Sequence, residues 1–387
     1  MCTLILPSAS VSLFSTIGKI CHPLATMDSL HNMPSKAPST KLNIAVVGLG
    51  RMGKRHAKTL MYRVPHASLV AVCSNDETEL KWAREFFKDS NIEVFTSFDQ
   101  MIEKEGLQAV WVSTSTNVHA SMTTACINKN LHVLCEKPVS QNLQEARDVC
   151  ALAKQNPHLK VMAGYSRRFD ASYRSAKAQI TSGSIGKPFL VRSQTTDLLD
   201  TTGFFVRYAA KNGGIFYDCA IHDIDLTLWL LGDVKPKACW AVGTITHHPE
   251  LKELNDVDNG VGVVEYTNGC LGYYYVSRTQ AHGHDVCTEV TGSAGKLSVN
   301  VQPRSDFVEL ASSNGISHQV QPEYWERFED AFATEATEFC ESVLEDKDVP
   351  VALDIGIQSL EIGLALQDAL LSGQVQKFNE EGHQIKA

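Results

Sequence analysis

The sequence has 387 residues, of which 43% are hydrophobic and 20% are charged, and its formal net charge is −9. This length and composition predict a globular protein of two domains, each with a substantial core. The negative charge argues against nucleic acid or anionic lipid as a partner, and no run approaches the roughly 20 apolar residues that span a bilayer.

Eleven cysteines are spread along the chain without a C-x-x-C pair. In a chain of this size they are predicted to be small buried residues in a reducing compartment, not a disulfide framework. We therefore expect a cytoplasmic protein.

Residues 1–40 are rich in Ser, Thr and Pro and poor in charge, so we expect a disordered leader. The apolar run 4–14 contains a proline and lacks a basic segment before it, which argues against a signal peptide. No arginine precedes Arg51, which argues against a mitochondrial presequence. An organelle-targeting leader and a translation start at Met27 or Met33 both stay open.

A glycine-rich loop follows the first predicted strand, residues 43–47, and leads into a helix that runs to about Tyr62. A G-x-G-x-x-G run between a strand and a helix is typical of dinucleotide binding, because the free N–H groups of the helix start attract a pyrophosphate. A glycine loop of purely structural use is the alternative. The loop residues predicted to bind the cofactor are Gly48, Gly50, Arg51, Met52 and Gly53.

Strands and helices then alternate, with strands predicted over 68–73, 94–96, 109–113 and 131–135. This alternation predicts a parallel sheet that binds its ligand at the carboxyl ends of the strands, and hence a Rossmann domain over residues 41–160. The polar residues at that edge are predicted to contact the cofactor: Ser74, Asn75, Thr114, Asn117, His119, Glu136 and Lys137.

The choice of cofactor is read at the end of the second strand, where an acid holds the ribose 2′-hydroxyl of NAD. Ser74 occupies this place, which leaves NADP open. No arginine follows directly, however, and Asp76, Glu77 and Glu79 make the neighbourhood acidic, which favours NAD.

Lys137 comes directly after a predicted strand, in the segment Glu136-Lys137-Pro138. At that edge a lysine can approach both the nicotinamide and the reacting carbon, where it can accept a proton or donate a hydrogen bond. Taken alone, it could also be a solvated surface charge.

A second polar group lies in segment 213–226, which reads as a loop entering a helix. Asp218, His222 and Asp225 are spaced to share one helical face, whereas Asp223 is predicted on another face. Carboxylates beside an imidazole suit proton transfer. A helix cap with satisfied polar side chains is the alternative.

Three motifs together resemble the Gfo/Idh/MocA family, which includes glucose–fructose oxidoreductase and inositol dehydrogenase. They are residues 48–53 with Met52 and His56, the segment 136–138, and the pair Asp218 and His222. The resemblance covers about residues 41–379. It implies an NAD(P)-dependent oxidation of a secondary alcohol in which Lys137, Asp218 and His222 form the catalytic set and Lys137 and His222 also contact the substrate.

The segment 164–170 is similar to the one that contacts the polyol in inositol dehydrogenases. The resemblance implies that Arg167 contacts substrate hydroxyls and that Asp225 accepts a hydrogen bond from another. Ser166 replaces a larger residue of some relatives, which leaves inositol itself open as the substrate.

The second domain, residues 161–387, is predicted to be α+β with a large, mainly antiparallel, open-faced sheet. Its strands are predicted over 188–196, 238–246, 260–266, 271–276, 285–291 and 296–301, with an Asn268-Gly269 hairpin turn and a closing helix over 354–371.

One face of this sheet is expected to be covered by helices, while Tyr273 and Tyr275 lie on the other. A large uncovered face predicts a homodimer or homotetramer. His282, His284 and Cys287 match no standard zinc spacing, so no metal is predicted.

The leading functional hypothesis is a dehydrogenase acting on a polyol, cyclitol or sugar. A cofactor-binding regulator without chemistry is one alternative, although it would not need to keep Lys137, Asp218 and His222. A hydrolase or lyase that cycles a permanently bound NAD is another.

Overall fold

The computed structural model describes residues 41–386. The predictions made for residues 1–40 lie outside this range. No helix within residues 41–386 is both long and apolar enough to cross a membrane.

Six strands form a first sheet in the order β3-β2-β1-β4-β5-β6, and every neighbouring pair is parallel. The central strands are almost wholly apolar because helices cover both faces of such a sheet. The Rossmann prediction is confirmed. The strands are β1 (Leu42–Val47), β2 (Ala67–Cys73), β3 (Glu93–Phe95), β4 (Ala109–Val112), β5 (His132–Glu136) and β6 (Val161–Gly164).

Five helices connect these strands: α1 (Arg51–Tyr62), α2 (Glu77–Phe86), α3 (Phe98–Met101), α4 (His119–Asn128) and α5 (Leu143–Gln155). The first sheet ends at Gly164 and not at residue 160, where the sequence analysis placed the domain boundary, because the buried strand β6 pairs with β5.

Eight strands form a second sheet in the order β12-β11-β7-β10-β9-β8-β15-β16. Only β7 and β10 are parallel neighbours, so the prediction of a mainly antiparallel sheet is confirmed. Its strands are β7 (Pro188–Leu198), β8 (Pro236–Thr244), β9 (Asn259–Tyr266), β10 (Leu271–Gln280), β11 (Asp285–Gly292), β12 (Gly295–Val299), β15 (Gln376–Phe378) and β16 (Gln384–Ile385); a separate hairpin pairs β13 (Leu310–Ser312) with β14 (Gly315–Ser317).

The two faces of the second sheet differ in burial. Tyr274 and Val276 of β10 are fully buried beneath helices, while the alternate residues Tyr273 and Tyr275 lie half-buried on the opposite face. Trp240 of β8 is paired across β9 with Tyr273 and is 42% exposed. The open face is therefore apolar and aromatic along β8 and β10, whereas Arg192 of β7 and Glu289 of β11 continue it as an ion pair.

The helices of the second half are α6 (Ala171–Thr181), α7 (Phe204–Asn212), α8 (Ile215–Asp218), α9 (Ile221–Leu231), α10 (Tyr324–Leu344) and α11 (Ile355–Ser372). Helices α8, α9 and α11 cover the second sheet, whereas α10 packs on α1 of the first. Phe328 and Phe339 of α10 belong to the same core as Trp111 of β4. This shared core holds the carboxyl edge of the first sheet against α8 and α9.

Candidate active site

The glycine loop joins β1 to α1 and leaves the start of α1 without a side-chain cap. Gly48 has φ +85°, and a Cβ on Gly53 would lie 1.7 Å from the Gly48 carbonyl oxygen. Gly50 is the N-cap residue, and the first turn contains no acidic residue. The free N–H groups and the positive end of the helix dipole fit a bound pyrophosphate.

Arg51 and Met52 both face Tyr324 at the start of α10. The Arg51 guanidinium lies 5.0 Å from the ring centre of Tyr324 and 5.8 Å from that of Phe204, and the Met52 sulfur contacts the Tyr324 hydroxyl. The structure thus brings α7 and α10 to the phosphate loop, a proximity that no local sequence signal indicated.

The residues after β4 divide into two groups. Thr114 is half-buried and Asn117 is exposed in the turn that follows the strand. His119, however, is buried, with Nδ1 2.9 Å from the Pro138 carbonyl oxygen and Nε2 3.1 Å from that of Thr114. Both ring nitrogens thus lie near carbonyl oxygens of the loops after β4 and β5, and the contact of His119 with the cofactor stays a prediction.

Glu136 ends β5 and faces His56 of α1. Glu136 Oε1 lies 2.6 Å from Nε2 of His56, whose buried ring stacks on Trp111. Burial acts to raise the pKa of Glu136, but His56 and Lys137 outweigh it and the pKa lies below its ordinary value. The carboxylate anchors the end of the strand, next to Lys137.

Lys137 and Asp218 meet between the two sheets. Lys137 Nζ donates to the Asp218 carbonyl oxygen at 3.0 Å and lies 3.4 Å from Oδ1. The Lys137–Pro138 peptide bond is cis. The juxtaposition of a strand-end lysine with the second polar segment, expected from the resemblance, is present.

Asp218 is surrounded by donors. Tyr208 donates to Oδ1 at 2.8 Å and Arg278 donates to Oδ2 at 2.5 Å. Burial acts to raise the pKa of Asp218, yet Lys137 and Arg278 more than offset this effect and lower it. Asp218 is therefore an ionised anchor that orients Lys137.

His222 lies in the first turn of α9 and is half-buried, and its Nδ1 has no hydrogen-bond partner among the described residues. Burial lowers the pKa of His222 well below its ordinary value, and the positive charges of Lys137 and Arg167 add to this effect. The imidazole is consequently neutral at pH 7 and can accept a proton.

Asp225 and Arg167 each form a buried ion pair. Arg168 donates to the two Asp225 oxygens at 2.6 and 2.8 Å, and Asp225 is 1% exposed. Arg167 donates to Asp223 at 3.1 Å and to Thr195 at 2.8 Å, also in a buried position.

The polar groups of Arg167 and Asp225 are taken up by buried partners, because an unpaired charge in the core would be costly. Their expected contacts with substrate stay a prediction. The single predicted helix is divided: α8 ends at Asp218 and α9 begins at Ile221, so Asp218 belongs to one helix and His222 and Asp225 to the next.

A chain of charges that was not predicted from the sequence lies behind Asp218. Arg278 of β10 bridges Asp218 and Asp197 of β7, and His284 Nδ1 lies 2.9 Å from Asp197. The only sequence signal was the histidine pair 282 and 284, which was considered for a metal. Within residues 41–386, no group of three His, Cys, Asp or Glu side chains is placed to hold a metal ion.

Ser74 and Asn75 directly follow β2, as predicted, but they differ in exposure. Asn75 is exposed, whereas Ser74 is buried and donates to Glu79 Oε2 at 2.6 Å. Glu79, in the first turn of α2, is thus brought to the cofactor edge.

The uncapped start of α1 after β1 and the lysine held at the end of β5, on the same edge of the sheet, fit a dinucleotide-binding oxidoreductase. The chain belongs to the Gfo/Idh/MocA oxidoreductase family. The model of its N-terminal domain, described as an oxidoreductase family with an NAD-binding Rossmann fold, matches residues 42–165. The model of the family's C-terminal domain matches residues 173–298.

Several relatives have inositol dehydrogenase names. The chain is 32% identical to scyllo-inositol 2-dehydrogenase (NAD(+)) of Bacillus subtilis, over 86% of this chain and 95% of that protein. It is 29% identical to myo-inositol 2-dehydrogenase of Thermotoga maritima, over 88% and 99%. Scyllo-inositol dehydrogenase of Lactobacillus casei, solved with NAD(H) and scyllo-inositol, superposes with a TM-score of 0.83 at 31% identity, over 87% and 99%.

The variant Asp225→Asn distinguishes a structural from a substrate-binding carboxylate. It should lower the free energy of unfolding by about 3–5 kcal/mol, because it leaves the Arg168 charge buried without a counter-ion. Urea unfolding followed by circular dichroism measures this. Glu338→Gln, at the more exposed ion pair with Arg174, is the control and should cost about 1 kcal/mol or less. Wild-type stability with a raised KM would instead place Asp225 against the substrate.

Proposed function

We propose that the protein is a dehydrogenase that oxidises a secondary alcohol of a cyclitol, polyol or sugar, with NAD as the hydride acceptor. The observation that carries this proposal is the contact of Lys137 Nζ with Asp218 beside a neutral His222 whose Nδ1 finds no partner within residues 41–386. When bound, the nicotinamide accepts the hydride from the carbinol carbon.

His222 is proposed as the base that takes the hydroxyl proton as the hydride leaves. A base must be unprotonated when substrate binds, and the lowered pKa of His222 keeps it so at neutral pH. The same nearby positive charges that favour the neutral imidazole also stabilise an alkoxide as it develops.

Lys137 is proposed to donate a hydrogen bond to the reacting oxygen. Its ammonium group is held by the Asp218 carbonyl and carboxylate oxygens, which accept one or two of its three protons. The ion pair of Asp218 with Arg278 holds the carboxylate in place. Asp218 thus positions Lys137 and need not change its own protonation state.

A polyhydroxylated substrate is supported by the relatives, which are named for inositol and share 29–32% identity with this chain. Direct contacts from Arg167 and Asp225 form no part of the proposal, because both are in buried ion pairs. Segment 201–212, which includes α7, is the proposed source of further hydrogen bonds, since Tyr208 already reaches Asp218.

The proposed compartment is the cytoplasm. All nine cysteines within residues 41–386 are free and buried, which agrees with the prediction that they act as small apolar residues. Thiols kept in this state fit a reducing environment.

Lys137→Ala and His222→Ala should each reduce kcat by about 10³-fold or more, while NAD binding remains within a few fold of wild type. NADH formation at 340 nm against a panel of polyols and aldoses measures turnover, and fluorescence titration measures binding. His282→Ala, at an exposed histidine, is the matched control and should keep full activity. If both site variants turn over normally, the catalytic assignment is wrong.

The acid limb of the pH profile should lie below the range in which an ordinary histidine titrates, about pH 6.5. Because the pKa of His222 is lowered, its proton-accepting form persists at more acidic pH than usual, and activity falls only as it becomes protonated. The measurement is kcat/KM against pH, with circular dichroism at each pH as the folding control. An acid limb at or above neutral pH would contradict the role of His222.

The open face of the second sheet is proposed to form a homodimer or homotetramer interface. It carries the exposed residues Trp240, Val242 and Leu271 beside Tyr273 and Tyr275, and apolar faces of this kind commonly associate. Trp240→Asp should therefore lower the mass found by light scattering at micromolar concentration. Tyr62→Asp, on α1, is the control and should not. A monomeric wild-type protein would refute this proposal.

A further inference from the structure

The carboxylate of Glu79 lies between the end of β2 and the phosphate loop. Its Oε2 accepts hydrogen bonds from the Leu49 backbone N–H at 3.0 Å and from the Ser74 hydroxyl at 2.6 Å. Ser74 in turn accepts from the Asp76 backbone N–H at 3.1 Å, so its hydroxyl is oriented. Glu79 is therefore held at the loop by donors of the protein itself.

We propose that Glu79 is the residue that accepts hydrogen bonds from the adenosine ribose and thereby selects NAD over NADP. The proposal rests on dinucleotide binding, which belongs to the proposed function, but it does not depend on the substrate or on hydride transfer.

The two oxygens of Glu79 have different surroundings. Both protein donors bind Oε2, which leaves the lone pairs of Oε1 for a ligand. A Cβ built on Gly50 would lie 3.4 Å from Oε1. Apart from Gly50 itself, its two chain neighbours and the backbone of α1, no other atom of residues 41–386 lies within 4 Å of that Cβ position. The free oxygen thus faces the open side of the loop, where a ribose with two hydroxyl donors can approach.

The charge around Glu79 favours a ribose without a 2′-phosphate. Within residues 41–386, no lysine or arginine forms an ion pair with Glu79, and the nearby Arg84 pairs with Glu77 instead. The negative charge of Glu79 is thus not neutralised by a side chain. A 2′-phosphate placed against it would meet like-charge repulsion, which is the usual basis of NAD selectivity.

The side chain of Ser74 explains why the acid at this place, Glu79, comes from helix α2 and not from the residue that follows β2. Its short buried side chain leaves space at the end of β2, and the Glu79 side chain, in the first turn of α2, fills this space and receives the Ser74 hydrogen bond. The sequence has no acid at the strand end, which left NADP open. Glu79 supplies an acid at this place.

The experiment uses the full chain and its isosteric variant Glu79→Gln, which keeps the shape and removes the charge. Isothermal titration with ADP-ribose and 2′-deoxy-ADP-ribose tests the contact without nicotinamide or substrate. Wild type should bind the deoxy compound about tenfold more weakly, since a hydrogen bond to a charged acceptor is lost. In Glu79→Gln this difference should shrink to about twofold or less. If the wild type oxidises none of the polyols or aldoses but still shows this dependence on the 2′-hydroxyl, only the dehydrogenase assignment is refuted.

The same variant should change the choice of dinucleotide. The ratio of the NADP Kd to the NAD Kd should fall by about tenfold or more in Glu79→Gln, because NAD loses an acceptor and NADP loses a repulsion. Glu77→Gln makes the same charge change two residues away at an exposed ion pair with Arg84, and it should leave the ratio unchanged.

Three results would overturn the proposal. One is equal affinity of the wild type for ADP-ribose and its 2′-deoxy form, which needs no variant. Another is an unchanged ratio of dinucleotide affinities in Glu79→Gln. The third is a dependence on the 2′-hydroxyl in Glu79→Gln that is as strong as in the wild type, which would make Glu79 only a brace for the loop.

Discussion

The contact between Lys137 and Asp218 is the interaction on which the candidate site depends. Lys137 follows the strand β5 of the first sheet, and Asp218 ends α8, which packs beneath the second sheet. The two residues are 81 positions apart, and Lys137 Nζ lies 3.0 Å from the Asp218 carbonyl oxygen. The shared core beneath β1 and β4, completed by α10, keeps the two sheets in this relation.

Buried charges are compensated in pairs around this contact, and the compensation decides the protonation state of each group. Arg278 and Lys137 hold Asp218 ionised despite its burial. Burial lowers the pKa of His222, and the same positive charges lower it further, so His222 is neutral. Burial alone would favour the neutral form of both groups, so it is the ionised state of Asp218 that follows from the position of these cations.

Asp225, Arg167 and Ser74 show how much of the candidate site can be predicted from the sequence. Asp225 and Arg167 have residue types that suit a polyol site, yet each is satisfied by a buried partner, Arg168 and Asp223 respectively. Ser74 is read as the loss of an acid, whereas Glu79 folds back to the same place. In each case the sequence shows the type of side chain but not its partner, because the partner lies on another element.

The sequence by itself determined the parallel sheet, the phosphate loop, the lysine at the end of β5 and the mainly antiparallel second sheet. These features depend on local periodicity, glycine spacing and hairpin signals, which act over a few residues. Only the tertiary structure decided the place of strand β6, the packing of α10, the bridge through Arg278 and the direction in which Asp225 and Glu79 point. These depend on contacts between residues far apart in the chain, where burial requires each charge to find a partner and no local pattern records which one it finds.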